Sequence, residues 1–150
     1  MADALFSSEV FQETWRIVES EFLTALGETF YVTVLATAFA ILLGLPLGVL
    51  LVAGEKGGVM PLPKPLLKLI DVVINILRSV PFLILMILVI PLTRFLVGTS
   101  VGTVASIVPL VIAAFPFVAR LCESSLREVD PNVIEAAQSM GASPLQIICR

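Results

Sequence analysis

The feature that most constrains this chain is an apolar run over residues 29–53 that contains no Asp, Glu, Lys or Arg. A helix needs about 20 such residues to cross the roughly 30 Å hydrocarbon core of a bilayer. Shorter apolar runs follow over residues 79–95 and 104–121. Because 58% of the residues are hydrophobic and only 14% are charged, the composition lies outside the range of ordinary soluble domains. We therefore predict an all-α membrane protein with three transmembrane helices.

The N-terminal segment, residues 1–28, is acidic and differs in composition from residues 29–150, which we treat as one membrane unit. It lacks the basic start and short apolar run of a secretory signal, so we expect it to stay attached. Apolar side chains recur in it at helical spacing, at Phe11, Trp15, Val18 and Phe22. Two structures fit this pattern: an amphipathic helix on the membrane surface, or an extension of the first transmembrane helix.

Glycines and prolines within the apolar runs indicate where helices pack closely or bend. Gly44 and Gly48 form a small-xxx-small pair through which another helix can approach, although glycine is also simply tolerated in membrane helices. Pro109 and Pro116 interrupt the third run. Broken membrane helices occur where neighbours or a cavity satisfy the freed carbonyls. These prolines therefore predict either a pathway lining or a packed kink.

Basic residues flank the second apolar run. Arg78 precedes it and Arg94 lies near its end. From these positions the two side chains can reach opposite membrane interfaces. We interpret Arg78 as an interfacial anchor, with a role in gating a pathway as the alternative. The candidate pathway or gating residues are Arg78, Pro81, Pro109 and Pro116.

The residue types that catalysis and metal binding need are scarce. The chain contains no His, and Cys122 and Cys149 are isolated rather than in a CxxC or metal-like spacing. No Gly-rich Walker loop occurs, so we expect no ATP or other cofactor on this chain. The net charge of −3 offers no basic surface to nucleic acid. We expect neither an enzyme, nor a metal protein, nor a nucleic-acid-binding protein.

A polar segment over residues 130–143 follows the third apolar run. Asp130 suits the N-cap of a helix, Pro131 suits the first helical position, and Gly141 suits a left-handed C-terminal stop. The helix between them is only about 15 Å long, so it cannot span a bilayer. Its small and apolar side chains share one face, at Val133, Ala136, Ala137 and Met140.

A second short helix is predicted directly after this segment. Ser143 and Gln146 form a capping box, in which each side chain serves the other residue's backbone donor. On pattern alone, the two short helices also fit a simple connector between membrane helices.

The distribution of Lys and Arg near the ends of the runs predicts the orientation. The segment after the first run and the segment after the third run carry three basic residues each, namely Lys56, Lys64, Lys68, Arg120, Arg127 and Arg150. The N-terminal tail has Arg16 and the segment after the second run has Arg94. We predict that the N-terminus lies outside and that Glu135 lies in the cytoplasm.

The residues of the 130–143 segment resemble a known signature. Glu135-Ala136-Ala137, three further residues and Gly141-Ala142-Ser143 resemble the EAA motif of the permease subunits of ABC importers. Further stretches look like those of the methionine-importer permease, in the family's order from about residue 26 to the last residue: 44–48, 78–82, 90–94, 97–100, 107–110 and 116–120.

The resemblance implies a type I ABC importer transmembrane domain with a cytoplasmic coupling helix that docks on an ATPase. It carries over the coupling role to Glu135, Ala136, Ala137, Met140, Gly141 and Ala142. Family members continue with two more membrane helices, so we expect three of five helices and an incomplete domain over residues 29–150.

The resemblance also implies the partners and the location. They are a second permease copy, two cytoplasmic ATP-hydrolysing subunits, an extracytoplasmic protein that delivers L- or D-methionine, and the lipid bilayer of the inner membrane. Two alternatives stay open: a permease for another small amino acid or solute, and a membrane scaffold that recruits a cytoplasmic partner without transport. The ordered motif run from residue 44 to residue 143 favours the transporter, because a generic anchor has no need of it.

Overall fold

The computed structural model describes the backbone of residues 8–149 and the side chains of residues 11–149, and this described part is helical without any strand. The all-α prediction is therefore confirmed. Arg150, which contributes to the predicted orientation, lies outside the described residues. The helices are α1 (Ser8–Ala53), α2 (Lys64–Ser79), α3 (Phe82–Val97), α4 (Thr103–Arg127), α5 (Pro131–Ser139) and α6 (Pro144–Cys149).

Helix α1 runs through the composition boundary at residues 28–29 without a break. Its 46 residues make it about 70 Å long at 1.5 Å per residue, more than twice the thickness of a bilayer core. Of the two predicted alternatives for the N-terminal segment, the structure supports an extension of the first transmembrane helix. The apolar stripe of that extension stays exposed, with Trp15 at 60% and Phe22 at 61%.

The second apolar run lies almost entirely in α3, which follows a sharp bend after α2. The bend between α2 and α3 is 118°, and Val80 at its corner is extended, with φ −81° and ψ 128°. The residue before a proline is disfavoured in the helical region, so Pro81 ends α2 and begins α3. The transmembrane helix predicted over residues 79–95 therefore starts later than expected, at Phe82.

Helices α1 and α4 are each long and apolar enough to cross a membrane, and the bent α2–α3 pair counts as a third candidate. Ala36 of α1 packs beside Ile107 and Val111, whereas Leu51, further along α1, packs beside Ala119. The two helices thus run parallel, so α2 and α3 must return the chain to the side where α1 began. This path agrees with the three predicted crossings.

The contact between α1 and α4 depends on two glycines. A Cβ atom at Gly44 would lie 2.6 Å from the carbonyl oxygen of Phe115, and one at Gly48 would lie 2.5 Å from that of Ala119. Only hydrogen fits at these distances, so the small-xxx-small pair is a packing seam rather than two merely tolerated glycines.

The two prolines of the third run lie inside α4, which continues through both positions. The helix is therefore not broken at Pro109 or Pro116. Both residues are buried, which is the environment expected for packed proline positions. Proline removes one hydrogen bond of the helix ladder, and neighbouring helices make this tolerable in membranes.

Candidate functional site

The first turn of α5 is built as the sequence predicts. The Asp130 carboxylate accepts a hydrogen bond from the backbone N–H of Asn132 at 2.9 Å, and Pro131 occupies the first helical position. Asp130 is extended, with φ −62° and ψ 123°, as an N-cap residue should be. The start of α5 is therefore fixed by its own residues.

The C-terminal end of α5 is a Schellman turn. Gly141 has φ +83°, its N–H donates to the carbonyl of Gln138 at 2.9 Å, and the N–H of Ala142 donates to that of Ala137 at 3.1 Å. A Cβ atom at Gly141 would meet nothing within 4 Å. Backbone conformation, and not lack of space, is thus what requires glycine here.

The predicted capping box begins α6. The N–H of Ser143 donates to Gln146 Oε1 at 2.8 Å, and the N–H of Gln146 donates to the Ser143 hydroxyl at 3.4 Å. Because α5 has 9 residues and α6 has 6, residues 130–149 form a corner of two short helices rather than a membrane crossing.

The predicted face of α5 adjoins a cavity of about 800 Å³ between the two short helices and the ends of α1 and α4. Val133, Ala137 and Met140 line it, whereas Ala136 does not. The contact is loose, since Val133 is 61% and Met140 82% exposed. Most of the helix surface is free to meet a partner.

Glu135 is exposed and makes no hydrogen bond or ion pair within the part of the chain that the structure describes. An exposed helix carboxylate of this kind can pair with a basic group on a partner or with donors of its own fold. No donor of its own fold contacts the Glu135 carboxylate among residues 11–149.

An ion-pair cluster that the sequence did not reveal lies where α4 approaches α5. Arg120 donates to Asp71 Oδ1 and to Glu123 Oε2, each at 2.6 Å, and to Asn75 Oδ1 at 2.9 Å. Arg127 donates to Glu55 Oε1 at 2.6 Å and to Glu123 Oε1 at 3.0 Å. The cluster therefore consists of Glu55, Asp71, Asn75, Arg120, Glu123 and Arg127.

Part of this cluster carries a sequence signal. Arg120, Glu123 and Arg127 are spaced by three and four positions, which places them on one face of a helix. The spacing alone does not reveal the pairing, since Glu123 is a single acidic residue at the end of an apolar run. Their partners Asp71 and Glu55 lie 49 and 72 positions away in sequence, where local spacing gives no information.

The candidate pathway residues occupy separate positions. The Arg78 guanidinium lies 5.3 Å from the centroid of the Phe117 ring, a cation–π contact next to Pro116. Pro81 caps α3, and Pro109 lies two turns before Pro116 in α4. Among the described residues no cluster of three His, Cys, Asp or Glu side chains could hold a metal ion.

Comparison with known proteins places these features in a family. Residues 41–150 match the family described as the binding-protein-dependent transport system inner membrane component. The probable D-methionine transport system permease protein MetI of Vibrio cholerae is 52% identical over 135 residues, which are 89% of this chain and 60% of that protein. The D-methionine transport system permease protein MetI of Salmonella typhimurium is 46% identical, over 81% of this chain and 55% of its own length.

Solved structures agree with the sequence relatives. The inward-facing MetNI methionine ABC transporter, in its CY5 native crystal form, matches with a TM-score of 0.79 and 42% identity, over 84% of this chain and 58% of the matched chain. Its selenomethionine-soaked form matches with a TM-score of 0.77 and 42% identity, over 82% of this chain and 56% of the matched chain. The predicted type I ABC importer fold is thus confirmed.

This chain spans 55% to 60% of the length of these two curated relatives. The family match itself covers α2 to α6 and the last part of α1, so it includes the glycine seam, the ion-pair cluster and the α5–α6 corner. The chain therefore belongs to the family of binding-protein-dependent transport system inner membrane components.

Proposed function

We propose that this chain forms part of the permease of an ATP-driven importer for methionine. The observation that carries the proposal is the 52% identity to the Vibrio cholerae D-methionine permease, which extends over 89% of this chain. The proposed assembly has two permease copies, cytoplasmic ATPase subunits that bind ATP, and an extracytoplasmic binding protein. The permease itself contributes a path and a mechanical connection, and no catalytic residue.

In this proposal α5 is the coupling helix. Its two ends are fixed by the Asp130 cap and the Gly141 turn, so a force on α5 moves the corner as a unit. The small side chains of Ala136 and Ala137 let a partner helix or groove come close to the backbone. The unpaired carboxylate of Glu135 is then available to a basic group of the ATPase, and Met140 and Ala142 complete the contact surface.

The proposed translocation path involves α3 and α4. Arg78 and Pro81 lie at the sharp bend before α3, and Pro109 and Pro116 lie in α4, where the helix ladder is weakened. A change in the angle between these helices would open or close a path between them. In this proposal Arg78, Pro81, Pro109 and Pro116 are the residues that such a change in angle would affect.

Two alternatives remain for the experiment to separate, namely a permease for another small solute and a scaffold without transport. A chimeric permease is made by replacing the matching segment of the Vibrio cholerae relative with this chain. It is produced with the transporter's ATPase and binding protein in cells that lack methionine uptake. We expect ATP-dependent uptake of radiolabelled D- or L-methionine. Absence of methionine uptake, from a chimera that inserts and assembles, would contradict the proposed substrate.

Orientation gives a separate prediction, based on the Lys and Arg distribution. Cys149 is exposed, whereas Cys122 is half-buried against Gly48 and its thiol lies 3.8 Å from the carbonyl oxygen of Leu45. Cys149 is therefore the informative position. In a chimera with Cys122→Ala and no other cysteine, a membrane-impermeant maleimide should label Cys149 only after lysis. Efficient labelling in intact cells would reverse the proposed orientation.

A further inference from the structure

Helix α5 makes no extensive contact with another helix within residues 8–149. It is joined to α4 by residues 128–130, in which the N–H groups of Glu128 and Val129 donate to the carbonyls of Ser125 and Leu126 at 3.3 Å. The position of α5 relative to the membrane helices is consequently determined by the last turns of α4.

One buried carboxylate holds these last turns. Glu123 is only 6% exposed and accepts hydrogen bonds from both Arg120 and Arg127, which lie one turn on either side of it. Burying a charge is costly unless it is paired, and here each carboxylate oxygen has a guanidinium donor. The three side chains therefore lock two successive turns of α4.

Each arginine also connects α4 to another element. Arg120 reaches Asp71 and Asn75 on α2, and Arg127 reaches Glu55 in the segment after α1. Glu123 thus orients two guanidinium groups that tie the end of α4 to α2 and to the segment after α1. Arg127 lies three positions before Asp130, the cap of α5, so the tie stands at the base of the coupling helix.

We propose that Glu123 is a positioning residue for coupling, which makes α1, α2 and α4 move together when a partner displaces α5. This inference rests on the proposed function for its role in transport. Without the central carboxylate, Arg120 keeps only its partners on α2 and Arg127 keeps only Glu55, and the end of α4 can move independently of the helices that form the path. The expected defect is loss of transmission, with the partner-facing surface of α5 unchanged.

The test compares Glu123→Gln with Glu128→Gln in the chimeric permease assembled with its ATPase and binding protein. Glu128 lies five positions further on, is exposed, and has no ion pair among the described residues, so it is a matched control. Methionine uptake and ATP hydrolysis are measured in the same vesicles. We expect Glu123→Gln to lower the methionine imported per ATP hydrolysed by about fivefold or more, the usual lower range of coupling between sites. Glu128→Gln should leave this ratio unchanged.

Four further readouts separate positioning from simple destabilisation. Amounts of assembled permease and of co-purified ATPase should be equal for both variants, and Glu123→Asp, which keeps the charge, should recover a large part of the lost coupling. Glu55→Gln, which removes only the exposed tie to α1, should reduce coupling less than Glu123→Gln does. Hydrogen exchange at Glu128 and Val129 should be faster in Glu123→Gln than in the unmutated chimera.

The inference is overturned if Glu123→Gln retains the unmutated coupling ratio. It is also overturned if the variant loses only assembled protein while Glu55→Gln couples normally. The hydrogen-exchange comparison requires no substrate, so it tests the clamp even where the unmutated chimera fails to import methionine. That latter failure would count against the proposed function, whereas unchanged exchange at Glu128 and Val129 would count against the role of Glu123.

Discussion

Replacing Gly48 with valine is expected to force α1 and α4 apart and to prevent the helices from packing as they do here. The first added carbon alone would lie 2.5 Å from the carbonyl oxygen of Ala119 and 2.7 Å from the Cβ of Cys122. Neither atom belongs to the flexible end of a side chain, so the backbones must separate. We expect a cost at or above about 3 kcal/mol, the upper end of ordinary overpacking.

Gly27 provides the matched control for this substitution. It lies in the same helix, and a Cβ atom there would meet nothing within 4 Å. Gly27→Val makes the same change in helix propensity without touching α4. Denaturant titration of the purified chimera in detergent should show strong destabilisation for Gly48→Val and almost none for Gly27→Val. Equal stability of the two variants would show that the glycine seam does not hold α1 against α4.

The ends of α5 could be predicted from the sequence because they are determined locally. The Asp130 cap and the Gly141 turn are each made by hydrogen bonds between residues at most five positions apart. The Ser143 capping box is equally local. Such features depend on residue type at a fixed spacing, which can be recognised without knowing the rest of the fold.

Features that join distant segments could not be predicted in the same way. Hydropathy along residues 79–95 identifies an apolar run but contains no information on the direction of the helix before it. The 118° bend before Phe82 could therefore not be predicted, although Pro81 lies at that position. The ion pairs of Arg120 with Asp71 and of Arg127 with Glu55 form because α1 and α4 pack in parallel and α2 passes between them. From the sequence alone, Arg120 and Arg127 are recognisable only as basic residues near the end of a transmembrane helix.

The continuous course of α1 could not be decided from composition either. An acidic composition change at residues 28–29 suggested a boundary, but charged residues do not stop a helix and nothing there breaks the backbone ladder. The course of α4 at its prolines could not be decided from the sequence either, because a proline can end a helix or be packed within it. Pro116 is fully buried within the helix, where packing compensates for the missing hydrogen bond.

Replacing Gly141 with valine is expected to uncouple ATP hydrolysis from transport while the membrane helices remain packed. Gly141 has φ +83°, which is a strained conformation for a β-branched residue and costs about 1 kcal/mol or more. The turn would then relax, α6 would point in another direction, and the surface around Met140 and Ala142 would change. Because an added side chain meets no neighbour, the effect comes from backbone conformation alone.

Gly141→Asn is the matched control, since asparagine tolerates the left-handed conformation and often ends helices in this position. Both variants should insert into the membrane with the packing of the membrane helices unchanged, because the strain of the valine variant is confined to the turn after α5. Only the valine variant should lose affinity for the ATPase. A steric explanation would instead predict that asparagine, which is of similar size, is equally harmful.

The most direct test of α5 as the coupling helix is methionine-stimulated ATP hydrolysis by the chimeric transporter reconstituted in vesicles with its binding protein. We predict that stimulation is lost in Gly141→Val and retained in Gly141→Asn, with equal amounts of permease in both preparations. If Gly141→Val hydrolyses ATP in response to methionine at the unmutated rate, the turn after α5 does not transmit the signal, and the proposed coupling role of this segment is wrong.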